Sequence, residues 1–397
     1  MLYNTAAFTS GRRIGRPVLC QGRDNSRDGA SNGLLYISIE EGIMKKVLIY
    51  TAVVCLIGAW TGYDRVWAEC SAQDWKGCAG KPWVDGEVME TPLGSKWWPN
   101  PLWGEGDEAG STNWYTKPEV TMRAMAQVKA GQVYSLGQPY SSEMPLFGQR
   151  KFSLRIPGTP SGGPFGANKL VYHDDFLATE IGQVGTQFDG LGHIGVQIGV
   201  DGDRNHMRWY NGFTNTEIGS AYGLMKLGVE KLHPIVARGI LIDLVGVLGD
   251  MEAGQAATMA DVRAALERQG MANFQFKAGD AVLFRYGWER HWADPDKFNE
   301  GCPGVDMEVA RWLAETVQVG VTGGDTWPGT DPVPYPGEPA CGFCVHTYLQ
   351  ARHGIVNQEN LALKQLADDE VYVFAYIFNP SPIVGATGSM GSPLAIK

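Results

Sequence analysis

With 397 residues, 44% of them hydrophobic and 11% aromatic, the chain can bury a full core as one large domain or two modest ones. Its 33 Lys and Arg against 43 Asp and Glu give a formal net charge of −10 with no basic stripe, which excludes the electrostatic footprint of a nucleic-acid binder. An acidic surface favours solubility and identifies no substrate.

Residues 1–43 read as neither a targeting signal nor a domain. Glu40, Glu41 and Gly42 imply purine-rich codons of the kind found in a bacterial ribosome-binding site, so translation is expected to begin at Met44. Met44, Lys45 and Lys46 precede an apolar run from Val47 to Trp60, and Val66-Trp67-Ala68 follows, with small Ala68 at the cleavage position. This is the plan of a secretory signal peptide over 44–68, cleaved near Ala68. The run is shorter than the roughly 20 residues of a spanning helix, and Cys55 lacks the small residue that precedes a lipid-modified cysteine. A periplasmic or secreted protein with no stable membrane anchor is expected.

Residues 69–117 are rich in Trp, Gly and Pro and read as an extended arm packing on the body through its aromatics. The remaining 118–397 read as one catalytic domain. Thr116 caps a helix opening at Pro118, with Val120, Ala124 and Val128 on one face and Gly131 as its stop. A strand follows over 132–136. The apolar run from Gly239 to Val247 predicts a buried strand, and the Thr258/Asp261 capping pattern predicts a helix ending at Gly270. Strands over 280–285, 317–322 and 371–378, with helices over 306–315 and 346–352, complete an α/β alternation.

Export would leave Cys70, Cys78, Cys302, Cys341 and Cys344 in an oxidising compartment. Disulfides Cys70–Cys78 and Cys341–Cys344 then leave Cys302 over, although spacing does not fix pairing. A Cys-x-x-Cys also serves redox or zinc chemistry, but without a second such pair a structural disulfide is the simpler reading.

Chemistry concentrates between Gln183 and His193, where Gln183, Gln187, Asp189 and His193 crowd a Gly-rich segment. Glycine there permits close backbone approach. Asp189 and His193 suit a carboxylate ligand and general base, or an orienting pair. A Gly-rich turn with an ordinary hydrogen-bonded histidine would look the same from this segment alone. His173, just before the block, is a candidate pocket residue. Trp97, Trp98, Trp209, Trp288 and Trp327 could line an aromatic pocket or simply fill core.

The segment resembles the signature H-x-G-T-H-x-D-x-P-x-H of the cyclase superfamily, which includes bacterial kynurenine formamidases and isatin hydrolases. Gly185, Thr186, Asp189 and His193 fall in place. Further blocks resemble the family in order: Trp103 to Asn113, Gly279 to Trp288, Gly323 to Thr326, and His346 with Gly354, Glu359 and Asn360. The resemblance implies a single swivelling β/β/α-type α/β domain and a small-molecule hydrolase, with Asp325 near the substrate and a homo-oligomeric assembly. In metal-dependent relatives the first two histidines and the aspartate bind Zn or Mn, the last histidine acts as base, and the late His and Glu hold a second ion.

Here those first two histidines are Gln183 and Gln187, and Leu191 stands at the proline. An amide oxygen is a poorer ligand than imidazole for zinc. Two readings follow. Asp189, His346 and Glu359 hold one divalent ion, Mn or Zn, weakly, with His193 as base. Alternatively no metal is present, Asp189 orients His193, and Gln183 and Gln187 bind substrate. The function expected is hydrolysis of a small amide, lactam or ester-like bond, arylformamidase-like. A metal-free lyase, dehydratase or cyclase and a non-catalytic small-molecule binder are the rivals.

Overall fold

The structure, a computed structural model, describes residues 90–337 and 341–397. The expected upstream segment, the signal peptide, Cys70, Cys78 and residues 69–89 of the arm lie outside the described residues. No helix among the described residues is long and apolar enough to cross a membrane.

A nine-stranded mixed sheet organises the domain. Its strands are β1 (Val133–Ser135), β2 (Gln187–Asp189), β3 (Ile235–Asp243), β4 (Ala281–Arg285), β5 (Val321–Gly324), β6 (Val356–Glu359), β7 (Val373–Phe378), β8 (Gly388–Met390) and β9 (Leu394–Ile396). They lie in the order β8-β2-β6-β5-β4-β3-β7-β9-β1. The central four are parallel, and the outer pairings are antiparallel.

Strands β3 and β4 are apolar on both faces because both faces are covered. Ile235, Ala237 and Leu241 of β3 enter one core with Ala281 and Leu283 of β4. The alternate residues Ile240, Ile242, Val282 and Phe284 enter a second core on the other face, as a period of two requires. Helix α1 (Pro118–Met125) buries Val120 and Ala124 against the first. Helix α2 (Met259–Arg268) buries Met259, Val262, Ala265 and Leu266 in the second, started by the predicted Thr258/Asp261 capping box and ended before Gly270 at φ +72°.

Differences from expectation are local. Lys117, not Thr116, stands at the cap of α1, since the Thr116 hydroxyl donates to Asn113 O instead, and the helix stops at Met125. The strand expected over 239–247 begins at Ile235 and ends at Asp243, where a helical turn Val245–Leu248 follows. The helix expected over 306–315 continues as a π-helical segment to Val317.

The described part of the arm does pack on the body. Trp97 is buried, Trp103 meets Trp114 edge-on at 4.9 Å, and Asp107 accepts from the Tyr210 hydroxyl at 2.7 Å. Buried Asp280 ties α1 to the sheet, accepting from Arg238 at 2.5 Å and Arg123 at 3.2 Å. Removing that carboxylate would strand two cations, at a cost of about 3–5 kcal/mol.

Candidate active site

Two strands and one helix meet at the site. Antiparallel register sets Gln187 of β2 opposite Glu359 of β6, and Asp189 opposite Asn357. Strand alternation turns these four side chains to one face, while Phe188 between them points into the core and meets Phe378 at 5.1 Å. Helix α3 (Cys344–Thr347), prolonged as a π-helical segment through Arg352, brings His346 to the same place.

The motif's small residues hold this register. Gly185 has φ +61°, and a Cβ there would lie 2.3 Å from the Tyr140 ring. Thr186 donates to Asn360 O at 2.7 Å, and the Asn360 amide returns a bond to Gly185 O at 2.6 Å. Gly-Thr and Glu-Asn are therefore two halves of one clasp between β2 and β6.

His346 Nε2 lies 3.0 Å from Asp189 Oδ2, and His346 Nδ1 lies 3.7 Å from Glu359 Oε1. His193 Nε2 stands 3.7 Å from Asp189 Oδ2, with a quarter of its side chain exposed. Amides surround the carboxylates. Gln183 Nε2 donates to Asp189 Oδ1 at 2.9 Å, Gln187 Nε2 donates to Glu359 Oε2, and Asn357 Nδ2 donates to Glu359 Oε1 at 2.9 Å. Gln350 donates to Asp189 O at 3.0 Å.

Burial alone would raise the Asp189 carboxyl, but the charges of His193 and His346 hold it down to about 2. Burial and the Asp189 charge push Glu359 well above the usual carboxylate range. Two adjacent buried carboxyls thus favour one negative charge, on Asp189. Burial disfavours imidazolium at His346, yet contact with Asp189 and the charge of Asp331 outweigh it and raise that group. Burial dominates at His193 and lowers it.

One atom each from Asp189, His346 and Glu359 lies within 4.8 Å of the others. Asp189 Oδ2 and His346 Nε2 are buried without an aligned hydrogen bond. A buried lone pair and carboxylates of this kind fit a divalent ion. The expected ligand set is therefore brought together and is compatible with a metal.

A cavity of about 90 Å³ opens over this floor, lined by Gln183, Gln187, His193, His346 and Glu359 and walled by Phe147, Arg150, Ile194, Trp327, Pro328 and Phe343. Trp327 is the one tryptophan of the expected set in this wall, stacked on Phe147 at 4.1 Å.

The structure does not bring His173 or Asp325 to this cavity. His173 is exposed just beyond the 162–172 hairpin. Asp325 is buried, and its oxygens accept from the backbone N–H of Tyr286 at 2.7 Å and of Glu289 at 3.4 Å, so it braces a turn.

Sequence reasoning missed Arg150, Phe147, Phe343, Asn357 and Asp331. Asp331 supplies the cap that α3 lacks locally, accepting from Val345 N and His346 N at 2.8 Å each. It stands 15 residues before His346, beyond any local capping pattern. Asn357 was findable, two residues before Glu359 on a strand.

The sequence profile of the Cyclase family matches residues 134–332, half of the chain. This chain belongs to the cyclase family. Another member, whose crystal structure is described as that of a novel cyclase, is 26% identical, with a TM-score of 0.63 over 74% of this chain and 98% of the other. Isatin hydrolase A from Ralstonia solanacearum is 20% identical, with a TM-score of 0.50 over 67% of this chain and 92% of its own, a likeness of fold. No curated protein sequence gives a significant match. Among the described residues of this cyclase-family chain, the signature's His193 lines the cavity with Asp189 buried 3.7 Å behind it, and glutamines stand where the signature has its first two histidines.

Proposed function

We propose that this cyclase-family protein is an exported hydrolase of a small amide, lactam or ester-like bond in an aromatic or cyclic substrate. The observation that carries the reading is His193, open to a small aromatic-walled cavity and 3.7 Å from the buried carboxylate of Asp189. In this reading His193 is the proton acceptor for the attacking water, with a carboxylate behind it to steady the imidazolium it becomes. The fold shared with isatin hydrolase A is consistent with this reading.

His193 takes the proton from water as the water oxygen attacks the carbonyl carbon, then returns it to the leaving nitrogen or oxygen. Gln183 and Gln187, which line the cavity, offer amide groups to orient the carbonyl. Asp189, His346 and Glu359 would hold a divalent ion, which when bound supplies Lewis-acid polarisation and a more acidic water. Aromatic walls exclude bulk water, which strengthens each of these interactions.

The test is turnover of a panel of formanilides, lactams and aryl esters by the purified protein. Hydrolysis of at least one class supports the reading. Binding without turnover of any, or elimination in place of hydrolysis, would overturn it.

A further inference from the structure

We infer that the substrate carries a carboxylate beside its reacting bond and that Arg150 receives it; this rests on the hydrolase reading above. Arg150 is the one Arg or Lys among the residues lining the cavity. Its Nη2 donates to Gln183 Oε1 at 2.9 Å, and Gln183 donates onward to Asp189. The guanidinium is thereby registered to the cavity floor through one amide.

Two further observations point to a ligand and not to internal charge balance. No carboxylate among the described residues lies within ion-pair distance of Arg150, although Glu359 lines the same cavity and Asp189 is buried behind Gln183. Only one of its five N–H groups is used by a described residue. A planar guanidinium with free donors matches a carboxylate in the bidentate manner that Lys does not.

The guanidinium also lies 5.5 Å from the centre of the Phe147 ring, which itself stacks on Trp327. Aromatic surface and positive charge therefore adjoin at the cavity wall. A volume of about 90 Å³ is smaller than the roughly 150 Å³ that takes up a benzene ring. A ring whose reacting group reaches the floor must extend outward, along Phe147, Phe343 and Arg150. A small aryl amide with a carboxylate adjacent to the amide nitrogen meets each of these features.

N-formylanthranilate and formanilide are the probes, since they differ only in that carboxylate. In each, water oxygen bonds to the formyl carbon, the C–N bond breaks, and the nitrogen gains a proton, releasing formate and an arylamine. The wild type should favour N-formylanthranilate by roughly 10- to 100-fold in kcat/KM, the scale of one charge-assisted hydrogen bond. Arg150→Gln should collapse that ratio to near one through KM, and Arg150→Lys should keep part of it. Calorimetric binding of benzoate against benzamide supplies a readout independent of turnover and of variant folding. If neither formamide is hydrolysed yet benzoate binds more tightly in an Arg150-dependent way, the hydrolase reading fails and the anion site stands. Equal turnover of the two formamides, or benzoate binding no tighter than benzamide, overturns the Arg150 site.

Discussion

His346 Nε2 and Asp189 Oδ2 face each other across 3.0 Å in a fully buried floor, and neither atom has an aligned hydrogen bond. The other oxygens of the cluster are taken. Gln183 holds Asp189 Oδ1, while Gln187 and Asn357 hold both oxygens of Glu359. A cation entering here must turn those amide hydrogens away, and it gains a single imidazole, that of His346, because Gln183 and Gln187 stand at the signature's first two histidine positions. Weak metal binding is the expected result, with chelation leaving the protein folded. The double variant Gln183→His, Gln187→His should raise Zn or Mn affinity at least about tenfold, because imidazole outcompetes an amide for these ions. Elemental analysis before and after exhaustive chelation, followed by metal titration, checks this. A stoichiometric, chelator-resistant ion in the unaltered protein would sink the idea.

His193 offers a cleaner separation of chemistry from stability. It is partly open to the cavity, and its imidazole touches Asp189 only at 3.7 Å. His193→Ala should therefore fold with a near-normal melting temperature yet lose at least about 100-fold in kcat, the scale of general-base catalysis. Rates within a few-fold of wild type would remove it from the mechanism.

The legible parts of this molecule were those written locally. The Thr258/Asp261 capping box and the apolar run of β3 named their elements from short windows. Asp189, His346 and Glu359 could be paired only through resemblance, because β2 joins β6 by a long-range antiparallel register that no window of sequence contains. Arg150 and Phe147 escaped notice for a related reason. They lie in an irregular segment before the Phe152–Arg155 strand, without periodicity or motif, and only the folded chain brings them over Gln183 and Trp327. Asp325 misled in the opposite sense: its block matches the family, yet its carboxylate is spent on backbone amides.

The Cys341–Cys344 disulfide closes the loop that leads into α3, with Phe343 between the cysteines at φ +53° and in the cavity wall. Buried Cys302 is left free. So small a loop constrains the unfolded chain by only roughly 2 kcal/mol. Cys341→Ser with Cys344→Ser should lower the melting temperature by a few degrees while loosening Phe343 and His346, raising KM more than it lowers kcat. Mass spectrometry of unreduced protein should show the bridge closed. Two alkylatable thiols there, or kinetics indifferent to the double variant, would count against this role.

Glu289 predicts a pH dependence remote from the cavity floor. Burial and the charge of Asp325 push its carboxyl up to about 7, against the opposing pull of Arg285 at 3.7 Å. The folded state thus holds a proton that the unfolded chain releases near pH 4.5. The stability this confers is fully present below about pH 4.5 and is lost as pH rises through about 7. Glu289→Gln cannot ionise, and its amide oxygen can still accept the Leu363 N–H that Glu289 accepts at 3.1 Å. The variant should match wild type near pH 5 and exceed it at pH 8 by on the order of 2 kcal/mol. Urea unfolding at pH 5, 6, 7 and 8 measures the difference directly. Asp325 is also raised by burial, so parallel curves for wild type and Glu289→Gln would place the shared proton on Asp325, and Asp325→Asn should then flatten the profile instead.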